Sequence, residues 1–401
     1  FDQRGVGGSR PAIEFCGPHP AFLAPYPTPH TVDKRGFVRD TLRYGQRCLQ
    51  RNGALLRHLG SANVARDLDL LRASVGDEKL TYFGVSFGTT IGATYATLFP
   101  GKARALLLDS AMDVEGYLHD PINNWRDYAA GHEHALQRFL QACTANPSGC
   151  GFGGASPVHA LDHLLAQLRV RPLPSDDPAV PGALTAEHVQ LALSKALRRR
   201  ALWPALAAAL AQAERGHAAM LLEFAGPVDP VVADDFLTAL YAVDGQFPVF
   251  PLSRYFDLAE RSYAQFPHFA FVSGYPDLVH ALWPAHDRDV HRGPVRNPAS
   301  ATPALVIGMT HDPATPYKDA QRLTADLGNA RLLTFDADGH FAVGALDGCV
   351  LGHALAYLEE GLLPAKGAVC TQQGEAFPEN AARVRSPQPN YWPLPVSPRA
   401  R

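Results

Sequence analysis

Five residues, Gly84-Val85-Ser86-Phe87-Gly88, spell G-x-S-x-G between a predicted strand over 79–84 and a predicted helix over 86–99. That context is the one a nucleophile elbow requires. A sharp strand-to-helix turn strains the serine backbone. Small residues at Gly84 and Gly88 avoid steric conflict there. The helix start also aims backbone N–H groups and the positive dipole end at any developing oxyanion, with the Phe87 N–H as one donor. The bland alternative is a glycine-rich turn around a buried structural serine. A serine hydroxyl is a weak nucleophile at neutral pH, so Ser86 needs a base, and the base needs a group to orient it.

Strand order suggests where those partners lie. Asp312 follows the apolar run 304–308 in Gly308-Met309-Thr310-His311-Asp312-Pro313, and His340 follows the run 330–335 in Asp338-Gly339-His340-Phe341. Both fall just past the carboxyl ends of predicted parallel strands, where open α/β sheets hold their ligands. The chain holds 17 His, so a lone histidine carries little weight. His340 is preferred because it follows a core strand and a glycine. His311 is its rival, but shares a loop with Asp312. Asp336 and Asp338 are rivals for the acid, but stand close to His340 in sequence. The expected roles are Ser86 nucleophile, Asp312 acid and His340 base.

Elements must position these groups. A helix over 61–74, capped by Ser61, precedes the strand over 79–84. The run ARALLLD over 103–109 is nearly continuous and apolar, as expected of a parallel strand buried on both faces. From 114 to 297 the pattern is helical with no convincing strand, and Thr185 caps one of the helices. Strand, helix, strand and helix then resume over 304–361. The fold class is α/β, a mostly parallel doubly wound sheet with a large helical insertion. The expected organisation is a core in two parts, 1–113 and 298–365, a helical lid over 114–297, and a Pro-rich tail over 366–401.

Composition narrows the function. The chain has 401 residues, 46% hydrophobic and 19% charged, with a formal charge of −3. That balance speaks against a nucleic-acid binder or a polybasic membrane anchor, and no apolar run is long enough to span a bilayer. No metal-ligand spacing or phosphate loop stands out. His132-Glu133-His134 lacks the HExxH spacing and reads as a solvated helix face. The six cysteines contain no C-x-x-C. Local pairing would join Cys16 to Cys48, Cys143 to Cys150 and Cys349 to Cys370; six free thiols in a reducing compartment remain the alternative. Phe1 opens inside what reads as a strand end and its loop, so core strands and any targeting signal are expected upstream.

The segments FDQRGVGGS, NVARDLDLLR, YFGVSFGTTIGATYATLFP, THDPATPY and ADGHF resemble secreted bacterial serine peptidases of the tripeptidyl-aminopeptidase type, relatives of proline iminopeptidase in the α/β-hydrolase superfamily. The resemblance covers nearly the whole chain. It implies an α/β-hydrolase fold, the Ser86, Asp312, His340 triad, peptide substrates, no metal and no cofactor. It also favours the three sequential disulfides and an extracytoplasmic location. Asp2 and Arg4, in the Asp-Gln-Arg-Gly turn, read as structural or as support from behind the site residues. Three departures stand out. The glycine-rich oxyanion segment of the family precedes that turn, so the second oxyanion donor lies outside this chain. Val243 and His280 replace a lid cysteine pair. Val114 and Thr90 replace a proline and an aromatic residue near the nucleophile. An esterase or lipase using the same triad, or an inactive hydrolase-fold fragment, is the alternative. An aminopeptidase must also read a free ammonium, and Glu187, Glu214, Glu223, Asp234, Asp235, Asp244, Asp257 and Glu260 are the lid carboxylates available for it.

Overall fold

The computed structural model describes residues 1–226, 232–248 and 251–378. The first elements are α1 (Lys34–Leu56), α2 (Ser61–Ser74), β1 (Leu80–Val85), α3 (Phe87–Leu98) and β2 (Ala103–Asp109). A helical stretch follows, with α4 (Val114–His119), α5 (Pro121–Ala145), α6 (Pro147–Cys150) and α7 (Pro157–Val170). It continues through two-residue strands β3 (Leu173–Pro174) and β4 (Ala183–Leu184) to α8 (Ala186–Ala196), α9 (Trp203–Glu214), α10 (Ala219–Ala225), α11 (Val232–Asp244), α12 (Ser253–Gln265) and α13 (Tyr275–Ala281). The last elements are β5 (Ala304–His311), α14 (Tyr317–Leu327), β6 (Ala330–Asp338), α15 (Gly348–Glu360) and β7 (Val369–Thr371).

Strands β1, β2, β5, β6 and β7 form one parallel sheet in that order. Side chains of a strand alternate between faces, so a strand covered on both sides must be apolar on both. β2 shows this over 105–108. Leu106 and Leu108 pack with Ala93 of α3 and Leu323 of α14, while Ala105 and Leu107 pack with Ala354 and Tyr357 of α15. β5 divides likewise, Val306 to one face and Leu305 and Ile307 to the other. The helical stretch between β2 and β5 has its own core around Phe139, Leu161, Leu193, Trp203 and Leu210. A further cluster joins α1 to α11, α12 and α13.

The structure departs from the sequence reading in four places. Helix α1 was not expected; its buried positions are scattered among many charged residues. Ser61 is the first residue of α2, not its cap; Gly60 caps the helix, and the Ser61 hydroxyl donates to Asp244. The region read as free of strands holds the β3–β4 hairpin, too short to leave a periodic signal. The stretch read as an irregular tail contributes β7, which adds to β6 and buries Cys370. Residues 379–401 of that tail lie outside the described residues.

Three disulfides join Cys16 to Cys48, Cys143 to Cys150 and Cys349 to Cys370. The last ties β7 to the start of α15. Closing a loop of that length stabilises by about 3 kcal/mol on the chain-entropy model. No helix among the described residues is long and apolar enough to cross a membrane.

Asp319 on α14 is buried, and its carboxyl is pushed up to about 8, by burial first and then by the charges of Asp113 and Asp127. The folded state therefore keeps a proton that the unfolded chain releases near pH 4. Stability will fall as pH rises from about 4 to about 8. Asp319→Asn should remove this slope. Urea unfolding at several pH values across that window checks it, and an equally steep slope in the variant would count against the assignment.

Candidate active site

Ser86 sits at the junction of β1 and α3 with φ 55° and ψ −121°, a backbone conformation that side-chain-bearing residues rarely adopt. The turn is held from several directions. The Ser86 N–H donates to the Asp109 carbonyl at 3.0 Å, extending the β1–β2 ladder. The Thr89 hydroxyl donates to the Ser86 carbonyl at 2.6 Å and accepts from the Met112 N–H at 3.1 Å. A Cβ at Gly84 would lie 2.5 Å from the Gly88 carbonyl oxygen, so the close approach of strand and helix needs glycine there. The Phe87 N–H opens α3 and has no intrahelical acceptor.

Asp312 follows β5 and is buried. Its Oδ1 accepts from the N–H groups of Ala314 and Thr315 at 2.8 and 2.9 Å, and its Oδ2 from the Thr315 hydroxyl at 3.0 Å. His340 follows β6, and its Nδ1 stands 2.9 Å from both carboxylate oxygens. With Nδ1 protonated toward Asp312, Nε2 is left as the acceptor. The Ser86 hydroxyl makes no hydrogen bond to any described residue, the His340 ring included; in unliganded sites such contacts are often loose.

A shared frame brings the three together. β1, β2, β5 and β6 are parallel neighbours, so Ser86, Asp312 and His340 all emerge at one edge of the sheet. Asp109 and Ser110, at the end of β2, tie the loops to one another. The Asp109 carboxylate accepts from the Ala342 and Val343 N–H groups at 3.0 and 2.9 Å, and Ser110 Oγ accepts from the Phe341 N–H at 2.8 Å. The Thr315 hydroxyl lies 3.0 Å from the Ser110 carbonyl. Burial pushes the Asp109 carboxyl up to about 6, against the N–H donors of Val343 and Ala342 that lower it. Asp109, Ser110 and Thr315 were not singled out in the sequence. The available signal was an ionisable residue closing a run of three leucines.

The rival residues are engaged elsewhere. His311 Nδ1 lies 3.3 Å from His134 Nε2, Asp338 pairs with Arg138, and Asp336 accepts from the Thr310 hydroxyl at 2.8 Å. His132 and Glu133 correct the expectation of a solvated face: both are buried. Burial lowers His132 to about 3, and Glu133 bonds His268 at 2.5 Å. α5 is covered where Gly131 lies against the Asp312 and Pro313 carbonyls, while the neighbouring His134 is exposed.

Arg4 forms a two-point pair with Asp67 at 2.7 and 2.5 Å, and Asp2 accepts from the Gly8 N–H at 2.6 Å. Several of the lid carboxylates already have partners. Asp235 accepts from Tyr44 and Cys16, and Asp244 from Ser61 and Tyr117. Glu187 and Glu214 face backbone N–H groups, and Glu260 pairs with Lys34. Glu223 and Asp257 are exposed, and the Asp234 side chain lies outside the described residues. Val243 and His280 are buried, with no bridge between them; Thr90 Oγ1 lies 3.7 Å from Met112 Sδ, and Val114 opens α4.

Three clusters among the described residues have metal-like donor sets. Two are built on disulfide sulfurs. In the third, of His58, Asp287 and Asp289, the Asp287 oxygens already accept from Gly60, Asn63 and Asp289. A cavity of about 570 Å³ lined by Phe1, Asp2, Arg4, His58 and Asp67 contains none of the Ser86, Asp312 and His340 grouping.

Residues 1–344 match the α/β hydrolase fold family. The chain is 32% identical over 402 residues to serine protease Hip1 of Mycobacterium tuberculosis H37Rv, covering 92% of this chain and 74% of that protein. It is 26% identical over 404 residues to the tripeptidyl aminopeptidase of Streptomyces lividans, covering 94% and 71%. It is 31% identical over 389 residues to carboxylesterase B of Mycobacterium tuberculosis CDC 1551, covering 92% and 72%. With the parallel sheet and the family match agreeing, the chain belongs to the α/β hydrolase family and is a serine hydrolase of that fold.

Proposed function

We propose that the protein is a serine exopeptidase that releases short peptides or amino acids from peptide N-termini. The observation that carries this reading is the buried Asp312–His340 pair standing at the same sheet edge as the Ser86 elbow, in a chain similar along its length to a serine protease and a tripeptidyl aminopeptidase. Ser86 Oγ attacks the scissile carbonyl while His340 Nε2 takes its proton. His340 then gives that proton to the leaving amine, and an acyl-enzyme forms. Water attacks the acyl group, His340 takes the water's proton, and the proton returns to Ser86 Oγ as the acid departs. Asp312 holds the imidazole orientation and balances the imidazolium charge. The Phe87 N–H is one oxyanion donor.

The helical segment over 114–297 serves as the lid over the core segments 1–113 and 298–365. The three disulfides fit an extracytoplasmic location.

Carboxylester hydrolysis is the second reading, favoured by the likeness to carboxylesterase B. Activity on aminoacyl and tripeptidyl anilides against short acyl esters separates the two. Anilide turnover blocked by N-terminal acetylation supports the exopeptidase; turnover of esters alone rejects it.

A further inference from the structure

We propose that Arg198 is a specificity residue that binds a carboxylate of the substrate beside Asp312 and His340. The proposal rests on the peptidase reading above and names the chemistry its substrate carries.

The main chain fixes Arg198 against the base. Helix α8 ends at Ala196, and the next residues run along the His340 loop. The His340 N–H donates to the Arg198 carbonyl at 2.8 Å, and Arg199 forms an antiparallel bridge with Gly339. Gly339 has φ +139°, and a Cβ there would lie 3.0 Å from the Arg198 carbonyl oxygen. Glycine thus lets the two chains touch, and the root of the Arg198 side chain moves with the catalytic loop.

The guanidinium is under-used. Nη2 donates to the Tyr128 hydroxyl, and buried Nε has no partner. Among the described residues no carboxylate pairs with Arg198, whereas Arg138 has Asp338 and Arg322 has Asp113. Asp312 is within electrostatic reach, but its oxygens are already taken by three donors and the imidazole. His132 beside it is held neutral by burial. A guanidinium desolvated without a carboxylate to balance it is costly, and a planar fork with a free donor matches a carboxylate.

An aromatic wall links this charge to the nucleophile. Phe87, next to Ser86, has its ring 6.0 Å from Tyr241, which is 4.9 Å from Trp125, which is 5.6 Å from Tyr128. All four, like Arg198, keep some accessible surface. They form a continuous run of ring contacts from the residue beside Ser86 to the guanidinium. Binding an anion there also supports the chemistry. When His340 takes the Ser86 proton it becomes a cation, and an unneutralised guanidinium nearby opposes that step. A substrate carboxylate removes the opposition.

The carboxylate has two sources, a free peptide C-terminus or an acidic side chain, and paired substrates tell them apart. One pair is a short peptide as its C-terminal acid and as its amide. The other pairs carry Glu and Gln at each position in turn. One pair should show at least a tenfold preference in kcat/KM for the carboxylate. Arg198→Gln should bring that ratio near one, and Arg198→Lys should keep part of it. A ratio unchanged in Arg198→Gln, or no preference in any wild-type pair, overturns the proposal. If Arg198→Gln does not fold, protection of wild-type Ser86 from a fluorophosphonate by a tripeptide acid against its amide gives the same answer; equal protection by acid and amide, and by the Glu and Gln tripeptides, is the overturning result. If the wild type turns over esters alone, the peptidase reading fails separately. Acyl esters with and without a free carboxylate then run the same comparison.

Discussion

Ser86→Ala will lower kcat by about six orders of magnitude and abolish labelling by a fluorophosphonate. The fold should survive. The Ser86 hydroxyl bonds no described residue, so its removal leaves no buried group unpaired, and the strained backbone is the same for alanine as for serine. The Ser86 N–H bond to Asp109 and the Thr89 clamp on the Ser86 carbonyl involve main-chain atoms that the substitution keeps. Circular dichroism and thermal melting should therefore match the wild type. Rapid turnover by this variant would remove Ser86 from the chemistry, whatever the substrate.

Asp312→Asn is expected to cost about four orders of magnitude in kcat with little change in shape. The reason lies in the donors around the carboxylate. Oδ1 faces the Ala314 and Thr315 N–H groups, so an asparagine must place its carbonyl oxygen there. Its NH2 group then points at the Thr315 hydroxyl, which can rotate to accept, and at His340 Nδ1. Nδ1 must become the acceptor, the ring proton moves to Nε2, and the base can no longer take the Ser86 proton. Binding of a product peptide should change far less than kcat. If kcat holds and only KM rises, Asp312 is not the orienting group.

Much of this site was legible because its chemistry is tied to local signals. The elbow needs small residues two positions either side of Ser86, and those letters are contiguous. Asp312 and His340 each follow an apolar run, and parallel strands deliver their next loops to one edge. What the sequence hid was long-range. Asp109 reads only as the end of ARALLLD, yet it bonds two N–H groups more than two hundred residues away. Thr315 looks like an ordinary loop residue until its hydroxyl is found between Asp312 and the Ser110 carbonyl. His132 and Glu133 looked solvated because their letters are polar, and only the neighbouring His134 is exposed. The burial of the first two follows from where α5 runs, which no local pattern encodes. Strands β3, β4 and β7 are too short for periodicity to register.

The three disulfides have sequence separations of 32, 7 and 21 residues, and each joins two cysteines consecutive along the chain. None crosses between the helical stretch and the sheet-forming segments on either side. For a chain exported N-terminus first, as the proposed location requires, an oxidant that joins cysteines in their order of emergence would make the native pairs directly, with no bridge to reshuffle. Each linkage could then close before the segment that follows it is translocated, with little need of an isomerase.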